Sequence, residues 1–394
     1  MRIPRRGSWR RLAPPLAILM TLVIAGDAFA VTWSGDRELA RETAWAWPGS
    51  LAVSSSTLVH SVYDHTVAGT TAAWYRRSTN SGTTWSLPVQ LSRSGVGQAA
   101  AASIDAYGSA LNAVWVEGDP VFDGLEAVVV HRQSTDGGLT WGEPQLLSAG
   151  TGSAGPPKVA RRGTTVVVTW TNEITGAVYA RVSTNGGTTF RTAIALATTT
   201  RVWGGFREGF PAVGIGTGVM YVAYYSATKT LRIRRSTDGG VKWATAVTLS
   251  TVGDGYAPSL AAYGSTAIVG YAGTSGSDRY TVIRRTTDKG AHWGSPVSLN
   301  PLSSYKSWSP VLAVRGTRWM AAYEKCLTST CSSTGVYYRA STNGGSTWST
   351  ASKASVNKRK YEAPADVDVA TKTLILYVDY DTGPWSGLWL RQGS

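Results

Sequence analysis

The sequence predicts an all-β protein: a single β-propeller of seven four-stranded blades, with a split closing blade built from the N- and C-terminal ends. Three observations lead there. A short motif recurs six times in 394 residues, with starts 56, 49, 53, 50 and 55 residues apart, and a period near fifty belongs to a propeller or another β array. Each repeat reads as four strands separated by turns, the content of one blade. The C-terminal end stops short of a full repeat, and the N-terminal end carries the missing piece. Composition agrees: 44 glycines and 10% aromatic residues suit many turns and a large core.

One repeat, from Pro211, shows the elements in order. A short inner strand covers 212–215, and Gly216-Thr217-Gly218 turns the chain. A second strand, rich in β-branched and aromatic residues, covers 219–225. After a loop at 227–230 comes a third strand, 231–235; the motif follows, and a fourth strand is predicted over 244–249. The motif therefore forms the turn between strands three and four.

Its six copies are "STNSGTTW" at Ser78, "STDGGLTW" at Ser134, "STNGGTTF" at Ser183, "STDGGVKW" at Ser236, "TTDKGAHW" at Thr286 and "STNGGSTW" at Ser341. The fifth position is always Gly, as a turn with positive φ requires. The third position alternates between Asp and Asn, both able to close an Asx-turn onto amides two residues on. A general acid or base could not alternate with Asn. The last position is Trp or Phe, an anchor for packing between blades. The motif is read as structural. A calcium site is not expected, because the alternating oxygen ligands of a calcium loop are missing.

This S/T-x-D-x-G-x-T-W pattern is the Asp-box, or BNR repeat. Over essentially all of residues 31–394 the chain resembles a bacterial secreted Asp-box propeller of the sialidase-like superfamily. The resemblance implies the architecture rather than one activity, since Asp-boxes also occur in xyloglucanases, sortilin-type receptors and photosystem assembly factors.

The blade count follows from the two ends. After the sixth motif the chain supplies strands one to three of a further blade, with Leu388-Trp389-Leu390-Arg391 in the place of "LRIRR". Residues 31–39, "VTWSGDREL", resemble "LTWGEPQLL" and "TTWSLPVQL", the segments that follow the turns. Seven blades result, the N-terminal segment completing the last and leaving no open edge in the ring. Sialidases are six-bladed, so the count argues against a simple transfer of their activity.

Residues 1–30 read as a secretory signal peptide, and 31–394 as one propeller domain. Arg2, Arg5, Arg6, Arg10 and Arg11 precede an apolar run at 16–25 and the small-x-small site Ala28-Phe29-Ala30. The run is short for a bilayer span, and no second one follows, so the mature chain is expected to be extracellular, without a transmembrane segment, and monomeric. Cleavage lowers the net charge from +14 to +10. That balance suggests anionic partners such as a cell-wall polymer or an acidic extracellular glycan. Ten arginines, among them Arg76, Arg181, Arg284 and Arg391, precede motif copies or their equivalent; spread evenly, they read as a solvated surface. Nucleic acid is not expected, because no aromatic-basic motif accompanies the charge.

A ligand site is expected on the face opposite the Asp-boxes, where the loops vary. The segments entering the inner strands carry aromatics beside prolines: Trp45, Trp47, Phe210, Tyr256, Trp308 and Tyr361. Charged residues interleave, giving Arg41, Arg207, Glu208, Asp254, Lys306, Arg359 and Glu362 as further candidates. Aromatic platforms with fixed charges suit a sugar; the competing reading is packing at the blade rims. Loop carboxylates Asp64, Glu117, Asp119, Asp123, Glu126, Glu173, Asp278, Glu324, Asp379 and Asp381 are candidates for a glycosidase pair.

Compared with sialidases, the chain lacks the expected motifs. Arg-Ile-Pro occurs only at Arg2-Ile3-Pro4, inside the leader, and the catalytic Asp and Tyr–Glu pair have no counterpart in the sequence. Arg41, Arg207 and Arg359 could imitate the carboxylate-binding triad. His60, His65, His131 and His292 show no metal-ligand spacing, so neither metal nor cofactor is expected. Cys326 and Cys331 are expected to form a loop disulfide in an exported protein. The favoured function is a secreted propeller that binds an acidic extracellular carbohydrate. The alternatives are a glycoside hydrolase of exo-sialidase-like type and a protein-interaction scaffold; whether the chain is an enzyme stays open.

Overall fold

The computed structural model describes residues 31, 33–40, 49–67, 69–95, 97–118, 126–197, 210–226, 228–251, 258–275, 278–300, 305–356, 359–369, 372–380 and 387–393. The expected leader, residues 1–30, and its boundary lie outside them. All regular structure among them is strand, arranged as seven four-stranded antiparallel sheets. Six blades are continuous in sequence: 50–90, 99–146, 158–197, 212–250, 259–298 and 307–353. The seventh combines Tyr361–Val369, Thr373–Tyr380 and Gly387–Gly393 with an outer strand, Arg37–Ala40, from the other end of the chain. Arg37 pairs with Leu390 and Glu38 with Trp389, Trp33 bridges to Gly393, and Ser34 N donates to Gln392 O at 2.7 Å. The predicted outer strand at 244–249 is shifted to Val247–Ser250. Ala244 N instead donates to Arg235 O at 2.8 Å, which keeps Ala244 in the turn.

Alternation of apolar side chains gives every sheet two packed faces, and each seam between neighbouring blades holds its own core. Seven such cores exist, including one between blades seven and one built on Leu39, Leu51, Tyr63, Leu376 and Leu388. The ring is therefore closed by burial as well as by strand pairing. The aromatic ending each Asp-box packs into the seam with the preceding blade: Trp85, Trp141, Phe190, Trp243, Trp293 and Trp348. The seam between blades six and seven has no Asp-box of its own. Trp33 fills that place, edge-on to Tyr338 with ring centroids 5.2 Å apart.

Seven of the ten repeated arginines are part of this architecture, which corrects their reading as a solvated surface. Arg76, Arg181 and Arg284 donate to the carbonyls of Leu39, Leu147 and Leu249, each at the outer edge of the preceding blade, over 2.8, 2.8 and 2.7 Å. Arg391 does the same to Ala354 O. Arg77, Arg235 and Arg285 reach forward instead, to the Asp-box carbonyls of Gly137, Lys289 and Gly344 in the next blade. The charge of these seven arginines is thus bound to backbone oxygens between blades.

Candidate functional site

The Asp-box turns lie on one face, packed against the turns joining strands one and two: Gly137 N donates to Ser109 O and Gly186 N to Thr164 O. Within the motif, Ser134 Oγ donates to Asp136 Oδ1 at 2.8 Å and accepts from Gly138 N at 2.9 Å, while Thr140 N donates to Asp136 Oδ1 at 2.9 Å. The Asx contact thus reaches amides three and four residues on, not two, because the turn spans an extra residue. Hydrogen bonds from Thr140 and Ser134 hold the Asp136 carboxyl well below the usual carboxylate range. Asn80 supports the same turn, with its amide donating to Thr84 Oγ1 where Asp136 accepts from Thr140 Oγ1.

The opposite face carries the loops between strands two and three and between blades. Of the candidates, Arg41, Trp45, Trp47, Arg207, Glu208, Asp254 and Tyr256 lie outside the described residues, as do Asp119, Asp123 and Asp381. Phe210 is at the lip of the central channel, and Arg359 is exposed. The remaining candidates gather where blades five, six and seven meet. Lys306 Nζ is 3.8 Å from the Asp278 carboxylate of blade five. Trp308 is the cross-strand partner of Glu324. The Lys360 ammonium lies over the Tyr361 ring at 5.3 Å, and Glu362 is the cross-strand partner of Asp379.

Strand alternation explains the gathering. Glu324 shares a sheet face with Ala322 and Val336, and Asp379 shares one with Tyr377; those neighbours pack together in the seam of blades six and seven. Thr334 of blade six ties the two, donating to Glu362 O at 3.2 Å and accepting from Glu362 N at 3.0 Å. Glu324, Glu362 and Asp379 are all buried. Two further cations belong here that sequence reasoning did not single out. Lys325 lies over the Tyr337 ring at 5.0 Å, and burial and the Arg339 charge lower its pKa. Burial also lowers the pKa of Lys353, opposed by Glu362 and reinforced by Arg391. Lys325 follows Glu324 in its strand, and Lys353 interacts with Glu362 across the seam between blades six and seven, a relation visible only once the blades are assembled. Exposed Tyr305 adjoins Lys306.

Other candidates serve the fold. Asp64 accepts from the amides of Ala101 and Ala102 in the next blade, at 2.7 and 3.3 Å, and so holds Ala101 at a φ of 59°. Glu117 is held by Arg93, with Nε 2.7 Å away, and by Trp115 Nε1 at 2.9 Å. Burial and a neighbouring arginine push His60 and His131 down to about 3, so both are neutral; they bond Tyr75 and Asn112. His292 pairs with Asp288 of its own Asp-box. Glu126 is exposed and Glu173 half-buried. Among the described residues no three His, Cys, Asp or Glu side chains form a metal cluster. Cys326 and Cys331 are bonded to each other in the loop between strands two and three of blade six.

The seven inner strands line a central channel of about 710 Å³. Its carboxylates also staple blades. Asp366 accepts from Leu51 N and Ser50 Oγ, each at 2.9 Å, and Asp105 accepts from Arg161 N at 2.7 Å. Surrounded by protein yet partly open to channel water, Asp105 is pushed up to about 6, chiefly by burial, against the amides of Arg161 and Ala106.

With this geometry in hand, the chain can be compared with known proteins. The family model described as a BNR repeat-like domain matches residues 30–265. No curated protein matches the chain. Among solved structures it is similar to an ulvan lyase of polysaccharide lyase family PL25, at a TM-score of 0.56 and 9% identity, covering 92% of this chain and 95% of that one. It is also similar to the Hadza microbial sialidase Hz136, at a TM-score of 0.51 and 16% identity over 72% of this chain. A mutant Trypanosoma rangeli sialidase gives a TM-score of 0.52 at 12% identity over 92% of this chain. The chain spans only 64% and 60% of the lengths of those two sialidases. Identities this low speak for a shared fold. The family match covers more than half of the residues, and the chain belongs to the BNR repeat-like domain family, as a seven-bladed propeller.

Proposed function

We propose that this protein is a secreted propeller that binds an acidic extracellular carbohydrate, on a cell wall or another glycan, at the face opposite the Asp-boxes where blades five to seven meet. The observation that carries the reading is the interleaving there of aromatic rings, Trp308, Tyr337 and Tyr361, with Lys306, Lys325 and Lys360. Sugar rings present apolar C–H faces that pack on aromatic rings, while ammonium groups bond carboxylate or sulfate. Because seven of the ten repeated arginines are occupied between blades, these lysines support anion binding better than net charge does. The neighbour ulvan lyase, described as bound to -[GlcA(1-4)Rha3S]-, is compatible with an acidic glycan on this architecture.

A second reading is a glycoside hydrolase, favoured by the adjacency of Glu362 and Asp379. Their burial argues for a structural role, since hydrolysis needs both carboxyls at the scissile bond. A glycan array run beside a hydrolysis screen on residues 31–394 separates the readings. Retention of acidic glycans without product supports binding; turnover supports the hydrolase; neither retention nor turnover contradicts both.

A further inference from the structure

The channel opens on the Asp-box face through a mouth that the proposed glycan face does not use. The last inner-strand residue of several blades forms its rim, followed each time by Gly and Ser or Thr: Tyr107-Gly108-Ser109, Arg162-Gly163-Thr164, Tyr263-Gly264-Ser265 and Arg315-Gly316-Thr317. The glycines of these turns have φ between 59° and 62°, so the four turns share one shape. Tyr and Arg therefore alternate around the rim, in blades two, three, five and six. Blade four interrupts the series with Gly216-Thr217-Gly218. With no side chain at Gly216, Arg162 crosses that blade: Nη2 donates to Thr217 Oγ1 at 3.1 Å, and the guanidinium lies 5.4 Å above the Tyr263 ring.

The arc is built for contact yet engaged with little. Tyr107 is 54% exposed and Tyr263 41%, large for rings at a channel mouth. Arg315 is exposed and has no hydrogen-bond or ion-pair partner among the described residues. Asp105 and Asp368 of the inner strands line the channel, and no ion pair joins either of them to Arg162 or Arg315 among the described residues. A packing role would bury the rings, and a structural role would give Arg315 a carbonyl, as Arg76 and Arg285 have.

We infer that this mouth is a second binding site, for the acidic terminal residue of a saccharide: a uronic acid whose ring packs on Tyr263 or Tyr107 and whose carboxylate meets Arg162 and Arg315. Guanidinium is the group that bonds carboxylate in a paired, planar fashion, and tyrosine supplies the ring platform. The site does not depend on the proposed glycan face; the two lie at opposite ends of the ring.

The test is calorimetric titration of residues 31–394 with trigalacturonate, maltotriose and adenosine monophosphate. Trp308→Ala silences the other face and serves as the background. In it, trigalacturonate should still bind, maltotriose should bind much more weakly, and Arg315→Gln should weaken trigalacturonate by about tenfold. Arg162→Gln and Tyr263→Ala should each do likewise, with a small fall in melting temperature because each also removes the contact between the two side chains. The Arg315 side chain makes no hydrogen bond or ion pair among the described residues, so its substitution reads binding with little cost to the fold. No trigalacturonate binding in the Trp308→Ala background, or binding indifferent to Arg315→Gln, overturns the second site. Equal binding of the nucleotide overturns its assignment to a saccharide. A wild-type isotherm indifferent to Trp308→Ala but sensitive to Arg315→Gln would remove the first site and leave the second.

Discussion

Glu362 and Asp379 stand directly opposite each other on neighbouring strands of the closing blade, 0% and 1% exposed. Cross-strand partners hold their Cβ atoms about 5 Å apart, so the two carboxyl groups share one buried spot in the seam. Lys353 and Arg391 bring compensating charge to the same seam. Recognition without hydrolysis assigns the pair to the fold. Glu362→Gln is then expected to leave the affinity for an acidic oligosaccharide within about twofold, measured by calorimetry. A wild-type glycosidase activity that this variant abolishes while still folded would make the pair catalytic.

Gly138 adopts a φ of 79°, and a Cβ there would overlap the Tyr75 hydroxyl of the preceding blade. Gly138→Ala is expected to lose about 2–4 kcal/mol in urea unfolding, from backbone strain and overpacking together. Asp136→Asn should leave the unfolding midpoint at neutral pH unchanged, since Asn80, Asn185 and Asn343 make the same turn.

Trp33 does the work of a seventh Asp-box tryptophan from outside any Asp-box. Trp33→Ala should cost about 2–3 kcal/mol, at the low end for a tryptophan because the ring is half-buried. Removing residues 31–40 should cost more, as Leu39 and the outer strand go with it. Thermal unfolding of the two variants measures this; equal melting temperatures with the parent would mean the ring closes without the N-terminal strand.

Asp105 gives the channel a pH signature. Its pKa is higher folded, about 6, than unfolded, 3.8, so folding favours the neutral carboxyl. The associated stability is fully present below the unfolded value and is lost as pH rises through about 6. Linkage sets its ceiling at about 3 kcal/mol, reduced by channel water. Asp105→Asn should therefore flatten the fall in unfolding free energy between pH 4 and 7. An unchanged slope would place the carboxyl in ordinary solvent.

Cys326 and Cys331 close a short loop, and thiol titration of the unreduced, denatured chain should find none reactive. Reduction should cost only about 2 kcal/mol, since a short loop confines the unfolded chain little.

Much of the fold was legible because the Asp-box repeats and its turn has a fixed local chemistry: Gly at positive φ, Ser to Asp, an aromatic into the seam. The split blade was legible because residues 31–39 repeat the pattern after a turn. Other features depend on which strands meet. Arg76 and Arg284 look alike in sequence whether they face water or the Leu39 and Leu249 carbonyls. The gathering of Lys306, Trp308, Lys325, Lys360 and Glu362 follows from register across two blades, which no local window contains. The alternation of Tyr107, Arg162, Tyr263 and Arg315 was present in the sequence as a Gly-Ser or Gly-Thr turn after each, overshadowed by the longer Asp-box.

The most direct measurement is calorimetric titration of residues 31–394 with an acidic oligosaccharide, comparing the parent chain, Trp308→Ala and Lys306→Ala at low and high salt. Stacking predicts that Trp308→Ala weakens acidic and neutral glycans alike. Charge pairing predicts that Lys306→Ala weakens acidic glycans more, and that salt narrows the difference. Binding unaffected by either substitution, with both variants folded, would contradict a glycan site at the face opposite the Asp-boxes.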